Sequence, residues 1–356
     1  MSQLKLTERQ AKLLIVDFSK EIVSSLVVAD PLVSVCFLAY NQVPFIERAL
    51  DSVLMQDANF AFEVVIGDDA STDGSSEVIN RYQRKYPEKI RILRSIENLG
   101  KYTGNGRLNF IRNLRACRGK YIAILDGDDY WTDPFKLKRQ IEYLEHHPEY
   151  AGSCHDVAIV DDVGNKLSLP DVFVDYGDKV DLCFNDIVTS KTPFHTASFV
   201  FREDVIECLP DWFLNAPYGD RPLMYLTAER GQIRRIPEVL SAYRKHQGGL
   251  TQKSSGLAYT LIFLRFNYML KRYFAPQADS EFNEMLRPRE KSVIGYVSGS
   301  GRFTKYVSAT AFFTRHLRFI ALGSLQLRLL RVGYTKGRNM VGRFIPSKMK
   351  DRLSSR

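Results

Sequence analysis

Residues 121–131 read YIAILDGDDYW: a short apolar run, then Asp126, Asp128 and Asp129 within four positions, then Tyr130 and Trp131. Like charges at this spacing repel, so crowding acids at the end of a strand is costly unless solvent, hydrogen-bond donors or a cation offsets it. The stretch alone fits two readings: a solvated Asp-Gly turn or a site for a divalent cation held by oxygen ligands. What lies upstream and downstream separates them.

Upstream, strand and helix signals alternate. LVSVCFLAYN carries period-two apolar positions and ends at Asn41 and Gln42; Pro44 can open a helix over IERALDSVLMQ, where Ile46, Leu50, Val53 and Leu54 recur at helical spacing. FEVVIGDDASTDGS predicts a second strand stopped by a Gly and Asp cluster, with Ser75 or Ser76 capping the helix SEVINRYQRKY. IRILRS, the helical stretch NFIRNLRACRG and YIAIL complete an α/β pattern that implies a mostly parallel sheet with right-handed crossovers. Ligands of such sheets bind beyond the carboxyl ends of the strands. There fall Tyr40 and Asn41, Asp68 and Asp69, and the DGDD cluster, three polar groups brought to one edge.

Downstream, PFKLKRQIEYLEHHPEY predicts a helix between Pro134 and Pro148. GSCHDVAIVDDVGNKL predicts two strands joined at Asp162 to Asn165, HTASFVFRED another strand, PYGDRPLMYLTAERG a helix, IRRIPEV a short strand and YRKHQGGLT a turn region. Helical patterning returns from about Ser255, without internal repeats.

The chain of 356 residues, 45% of them apolar, is long enough for a large core. Its five cysteines are scattered without a CxxC pair, which suits a reduced, cytoplasmic setting, and Asp17, Glu21 and Asp30 interrupt the start, so no signal peptide is expected. The net charge of +9 is unevenly placed: residues 301–356 hold thirteen Lys or Arg against one acid, and the rest is slightly acidic. A near-neutral body argues against nucleic acid as partner.

The ordered motifs YN, VVIGDDASTDGS, ENLGKYTGNGRLNFIRNLRACRGKYIAILDGDDYWTDPFKLKRQ, HTASFVFR, GDRPL and YRKHQGG resemble those of the glycosyltransferase family 2 enzymes, over roughly residues 31–252. The resemblance implies a GT-A fold, a Rossmann-like, mostly parallel sheet flanked by helices. Residues 1–30 are expected as a helical extension before it, and 253–356 as a helical, basic, amphipathic region after it. The resemblance also implies a nucleotide-sugar donor, UDP-linked by family leaning, and a glycan or lipid-linked acceptor, as in the synthesis of bacterial surface polysaccharides. Ala39, Tyr40 and Asn41 would line the base end of the donor, and one or both of Asp68 and Asp69 would meet nucleobase and ribose. Asp126, Gly127 and Asp128 match the DxD motif, adjoined by Asp129; among these carboxylates lies the ligand of a Mg²⁺ or Mn²⁺ bridging the diphosphate, with Asp126 also facing the donor. Asp220 falls where the family keeps its catalytic base, and His246 where relatives often place a late metal or diphosphate contact.

The chemistry asks for these types on its own terms. A departing diphosphate is stabilised by an oxygen-liganded divalent ion, and a carboxylate on the opposite side of the sugar can take the acceptor's proton. One such displacement inverts the anomeric centre. The sequence departs from the family at Gly219, where an acid usually precedes the base. QIRRI at 232–236 lacks the tryptophan of the QxxRW signature of processive members, so one sugar per encounter is expected.

Other features read blandly. DASTDG from Asp69 resembles half a calcium loop, but Asn80 stands where the closing glutamate belongs. Tyr130 and Trp131 suit packing; His155 and His195 suit structural or solvent-facing roles, with the acceptor site as the other option. Arg107, Asn109 and Arg112 suit a solvated helix face, with diphosphate contact as the other. In the tail, the uncharged stretches 306–314 and 319–327 are nine residues each, too short to span a bilayer. Arginines interleaved among apolar residues there fit either a helix lying on an anionic membrane surface, which would make the protein peripheral on a cytoplasmic face, or a helical cap on the catalytic domain. The rival to the enzyme is a non-catalytic nucleotide- or glycan-binding module on the same fold. A nucleotidyltransferase is disfavoured, because no Gly-rich phosphate loop follows the first strand.

Overall fold

Val33, Val35 and Phe37 are fully buried, and so is Cys36 between them, the mark of a strand covered on both faces. The computed structural model describes residues 19–103, 106–168, 173–190, 192–249, 257–274 and 279–299. In chain order the elements are β1 (Ser19–Ile22), β2 (Val33–Ala39), α1 (Ile46–Leu54), β3 (Phe62–Asp68), α2 (Ser75–Lys85), β4 (Ile90–Ser95), α3 (Gly100–Thr103), α4 (Arg107–Ala116), β5 (Tyr121–Asp126) and β6 (Tyr130–Trp131). There follow α5 (Lys136–His146), β7 (Tyr150–Val160), β8 (Asp181–Leu182), α6 (Phe184–Thr189), β9 (Val200–Arg202), α7 (Asp204–Glu207), α8 (Asp220–Arg230) and β10 (Gln232–Arg244), with 3-10 turns at Thr196–Ser198 and Asp211–Asn215.

The strands form one sheet ordered β1-β4-β3-β2-β5-β9-β7-β10-β6, with β8 on the side of β10. β4, β3, β2 and β5 are parallel, as the alternation predicts. β9 joins β5 and β7 by antiparallel pairing, and β10 runs parallel to β7. The main core packs α1, α2 and α5 against this sheet through Leu50, Val53, Ile79, Leu137 and Ile141.

Four expectations are corrected. The helical extension meets a strand: Ser19–Ile22 pairs antiparallel with β4, where Glu21 receives the Arg91 guanidinium, while residues before Ser19 lie outside the described ones. The second strand of the pair after Gly152 shrinks to a single bridge, Val160 to Lys166, because Asp161 gathers the backbone N–H groups of Val163 and Asn165 into a turn. The strand in HTASFVFRED keeps only Val200–Arg202, after a 3-10 turn. The short strand at IRRIPEV is the start of β10, thirteen residues long. Pro237 cannot donate to the ladder, and around it β10 bulges: Ile236 faces His155 and Ser241 faces Val157, five residues advancing against two, with residues 237–239 exposed.

Residues from Leu250 onward form a separate unit. Its described part holds α9 (Leu257–Tyr273) and α10 (Asp279–Gly299), joined by Lys271 to Asn283 and Asp279 and by stacking of Phe274 on Phe282. Residues 301–356, which carry the basic amphipathic pattern, lie outside the described residues. Among the described residues no helix is long and apolar enough to cross a membrane.

Candidate active site

The ends of β2 and β3 are stitched into one surface. Asn41 takes a left-handed backbone (φ 52°), accepts from the Thr72 N–H at 2.8 Å and donates its own N–H to Ser71 Oγ at 3.1 Å. The N–H groups of Gln42 and Val43 reach Ser75 Oγ and Asp73, both at 2.9 Å. Ala39 is buried, its carbonyl accepting from Asp69 N–H, while Tyr40 is 47% exposed at the rim.

Asp68 and Asp69 are both buried and hydrogen-bonded within the protein. Asp68 accepts from Ser71 N–H, Ser76 Oγ and Arg94 Nε. Asp69 accepts from Leu99 N–H, Gly100 N–H, Ser95 Oγ and Asn98 Nδ2, and burial raises its carboxyl's pKa against those bonds. These bonds hold loops 69–76 and 95–100 in place; Asp69 accepts at both oxygens twice, whereas Asp68 Oδ1 accepts a single bond.

Gly127 explains the centre of the DGDD loop. Its N–H donates to Leu38 O at 2.8 Å, and a Cβ there would fall 2.6 Å from Gln42 Oε1 and 3.2 Å from Leu38 O. The loop therefore lies flat on the end of β2, with Asp126 and Asp128 on either side. Asp126 and Asp128 are half-buried, whereas Asp129 is only 2% exposed. Asp129 turns inward: Oδ1 accepts the Arg244 N–H at 2.8 Å and Oδ2 lies 3.7 Å from His195 Nδ1. Burial and the charges of Asp128 and Asp126 hold its carboxyl well above the usual range. Asp129 thus fastens the loop to β10.

His246 Nε2 lies 3.0 Å from Asp128 Oδ2, and its ring packs on Phe45 with centroids 4.7 Å apart. At that separation the histidine can orient the carboxylate from outside or share one ion with it. Arg244 completes this flank, its guanidinium over the Phe45 and Tyr130 rings and its Nε on the Asp128 carbonyl.

Asp220 opens α8 from the other half of the sheet. Its side chain is exposed to solvent, and the protein packed around it raises its pKa. The neighbouring Gly219 packs tightly: a Cβ there would meet Phe110 Cδ1 at 2.5 Å. Asp126 feels both sides. Burial first, then the negative charges of Asp128 and Asp220, push its carboxyl up to about 7.

The structure also settles the bland readings. Trp131 is buried, donating Nε1–H to Ala197 O, and Lys136, also buried, places Nζ 4.1 Å from the Trp131 ring centre, its pKa driven well below normal by burial. His155 is buried, with Nδ1 donating to Asp156 O. The α4 face is not solvated: Arg107, Asn109 and Arg112 are all buried, Arg112 bonding Leu93 O and Ser95 Oγ, and Arg107 bonding Ala216 O. Lys136 was missed from sequence because lysine beside Pro134 and Phe135 reads as an exposed first turn.

Among the described residues no three His, Cys, Asp or Glu side chains already form a metal-ligand set. A hard divalent ion bound through one or two carboxylates, with water and phosphate oxygens completing its shell, needs none. Asp126 and Asp128 fit that role: they are oxygen donors, half-open to solvent, and their mutual repulsion, visible in the raised Asp126, is what a cation would relieve.

Residues 34–209 match the Glycosyl transferase family 2 model, and the chain belongs to that family. The uncharacterized protein Rv1520 of Mycobacterium tuberculosis is 34% identical over 224 residues, covering 61% of this chain and 60% of the relative, so the chain spans about three fifths of the mycobacterial protein's length. TuaG of Bacillus subtilis, named for teichuronic acid biosynthesis, is 36% identical over 114 residues, 32% of this chain and 42% of TuaG. Two solved structures share the GT-A fold. Staphylococcus aureus TarS 1–349 in complex with UDP-GlcNAc superposes with a TM-score of 0.59 at 16% identity, covering 91% of this chain and 93% of TarS. The Pyrobaculum calidifontis mannosyltransferase PcManGT in complex with GDP-Man and Mn²⁺ gives 0.52 at 17% identity, covering 93% of both.

Proposed function

We propose that this protein transfers a single sugar from a nucleoside-diphosphate sugar to a hydroxyl of a glycan or lipid-linked acceptor, with Mg²⁺ or Mn²⁺ and with inversion. The observation that carries the reading is the convergence on Asp126 of Asp128, from the same loop, and Asp220, from the far half of the sheet. Asp126 and Asp128 would hold the ion, which acts as a Lewis acid on the diphosphate. His246 and Arg244 keep the Asp128 segment in place, and Asn41 and Tyr40 offer the rim on which the base end of the donor lies. Asp220, its pKa raised by burial, takes the acceptor's proton, and a raised pKa makes a carboxylate a better base.

Donor binding is supported by fold neighbours crystallised with UDP-GlcNAc and GDP-Man, one of them with Mn²⁺. A surface-polysaccharide acceptor is supported by the likeness to TuaG, and UDP by the family leaning. A cytoplasmic protein held at an anionic membrane by residues 301–356 follows from their charge; sedimentation with phosphatidylglycerol vesicles tests it, and equal sedimentation of a chain cut after residue 300 would refute it.

Calorimetric titration of UDP, GDP, CDP and ADP, with Mg²⁺ or with EDTA, tests the donor site. Binding of one nucleotide that EDTA removes is expected. Absence of binding for all four with metal present would favour a non-catalytic module.

A further inference from the structure

The acid cluster has two aromatic flanks, and only one is occupied by the reading above. On the Asp128 side stand Phe45 and His246. On the Asp129 side stand three rings from three separate segments: His195, Tyr243 and Phe173. The His195 and Tyr243 rings lie 4.2 Å apart at 30°, close to stacked, and Phe173 stands edge-on to both, at 5.7 Å and 82° from His195 and 6.2 Å and 73° from Tyr243. All three are partly exposed, so the corner they make opens to solvent. It adjoins the acids directly: His195 Nδ1 is 3.7 Å from Asp129, and the next residue, Thr196, places Oγ1 3.5 Å from Asp126.

His195 also presents one defined polar atom. Its Nδ1 accepts the Ala197 N–H at 3.2 Å, capping the 3-10 turn, which leaves the proton on Nε2 as a donor. A corner of aromatic faces with a single fixed N–H suits a ligand with an apolar C–H face rimmed by hydroxyls, which describes a pyranose ring better than a nucleobase or a charged group. An acidic neighbour that would repel a phosphate favours a neutral sugar.

We propose that Phe173, His195 and Tyr243 form the platform on which the acceptor's terminal pyranose stacks, with His195 Nε2–H donating to one of its hydroxyls. This rests on the transferase reading and adds to it the residues that hold the second substrate. The acceptor then enters from the Asp129 side.

The test is saturation-transfer NMR with methyl β-D-glucopyranoside, methyl β-D-galactopyranoside, methyl α-D-mannopyranoside and methyl N-acetyl-β-D-glucosaminide, each with the full chain, Mg²⁺ and the nucleotide found by calorimetry. Wild type is expected to transfer saturation to at least one glycoside. Phe173→Ala and Tyr243→Leu are each expected to weaken that glycoside's affinity about tenfold, the scale of one lost aromatic contact. Nucleotide affinity in both variants stays at the wild-type value, which reports that they fold. Glycoside signals equal in wild type and both variants, or absent from wild type while nucleotide binds, would overturn the platform and leave the transferase reading standing. Absence of nucleotide binding in wild type overturns the transferase reading and the acceptor platform built on it.

Discussion

The two halves of the sheet are built by different means. From Val33 to Asp126, four parallel strands are covered on both faces, and each connection is a local helix or loop. From Tyr130 to Arg244, strands of two or three residues, β6, β8 and β9, are held only by what they pair with, and β10 reaches β6, β7 and β8 at once. The first half stands on sequence-local order and carries the groups assigned to the donor. The second stands on long-range contacts and supplies the base and the proposed acceptor platform. A chain assembled this way can keep its donor chemistry while its acceptor side varies.

That division can be broken at each carboxylate. Asp220→Asn is expected to lower turnover by about 10²- to 10⁴-fold, the range for losing a general base, while nucleotide affinity stays within about twofold. Steady-state rates alongside calorimetry check this; an unchanged rate would remove Asp220 from the role of base. Asp128→Ala is its mirror image, expected to reduce Mg²⁺-dependent nucleotide affinity by about 100-fold or more, beyond the loss of an outer partner of a metal. If both variants changed only binding, the two halves would not be separate in function.

A third measurement addresses packing. Gly219→Ala drives a Cβ into Phe110 and is expected to cost about 1–3 kcal/mol in urea unfolding. Combined with Phe110→Ala, which removes the obstructing ring, it should add almost nothing to the cost of that variant alone. Additive costs would mean the glycine is required for another reason.

Titration of Asp126 gives a fourth. A carboxyl raised from 3.8 to about 7 keeps its proton in the folded state where the unfolded chain has released it. In EDTA this contribution to stability is full below about pH 4, is lost as pH climbs toward 7, and is flat above. Mg²⁺-dependent nucleotide affinity runs the other way, rising up to about tenfold per unit as pH approaches 7, because the ion needs the ionised form. Thermal melts and calorimetry between pH 5.5 and 8 read both slopes.

The smallest effect is expected at the edge of the second half. Tyr150→Phe deletes a 2.7 Å bond to the exposed Asp181, and a loss under about 1 kcal/mol is expected from melting.

How much was legible in the sequence follows the same division. Period-two runs such as Val33 to Phe37, stopped by polar clusters, announce the parallel strands and the edge where ligands gather, so the fold and the positions of Asp126, Asp128 and Asp220 were readable. What the clusters do was less so. Asp68 and Asp69 look like free ligand groups in the sequence, which does not show that Arg94, Ser95 and the 98–100 loop also bind them. Asp129 looks equal to its neighbours until Arg244, 115 residues on, claims it. The aromatic corner was unreadable because Phe173, His195 and Tyr243 share no spacing; only the pairing of β10 with β6 and β7 brings that end of the chain to the acids. Lys136 hid because no sequence rule anticipates a buried amine against an indole.

The exposed kink at residues 237–239 behaves as a frame-setter. Successive side chains of β10 point to opposite faces, so the number of residues in the kink decides that Arg244 addresses the donor flank and Tyr243 the other. Adding or removing one residue there would exchange the two sets of side chains without altering any residue that touches a ligand. Kink length is thus inherited as a single digital setting, and related chains that differ in it would present different faces to their acceptors from an otherwise unchanged set of acids.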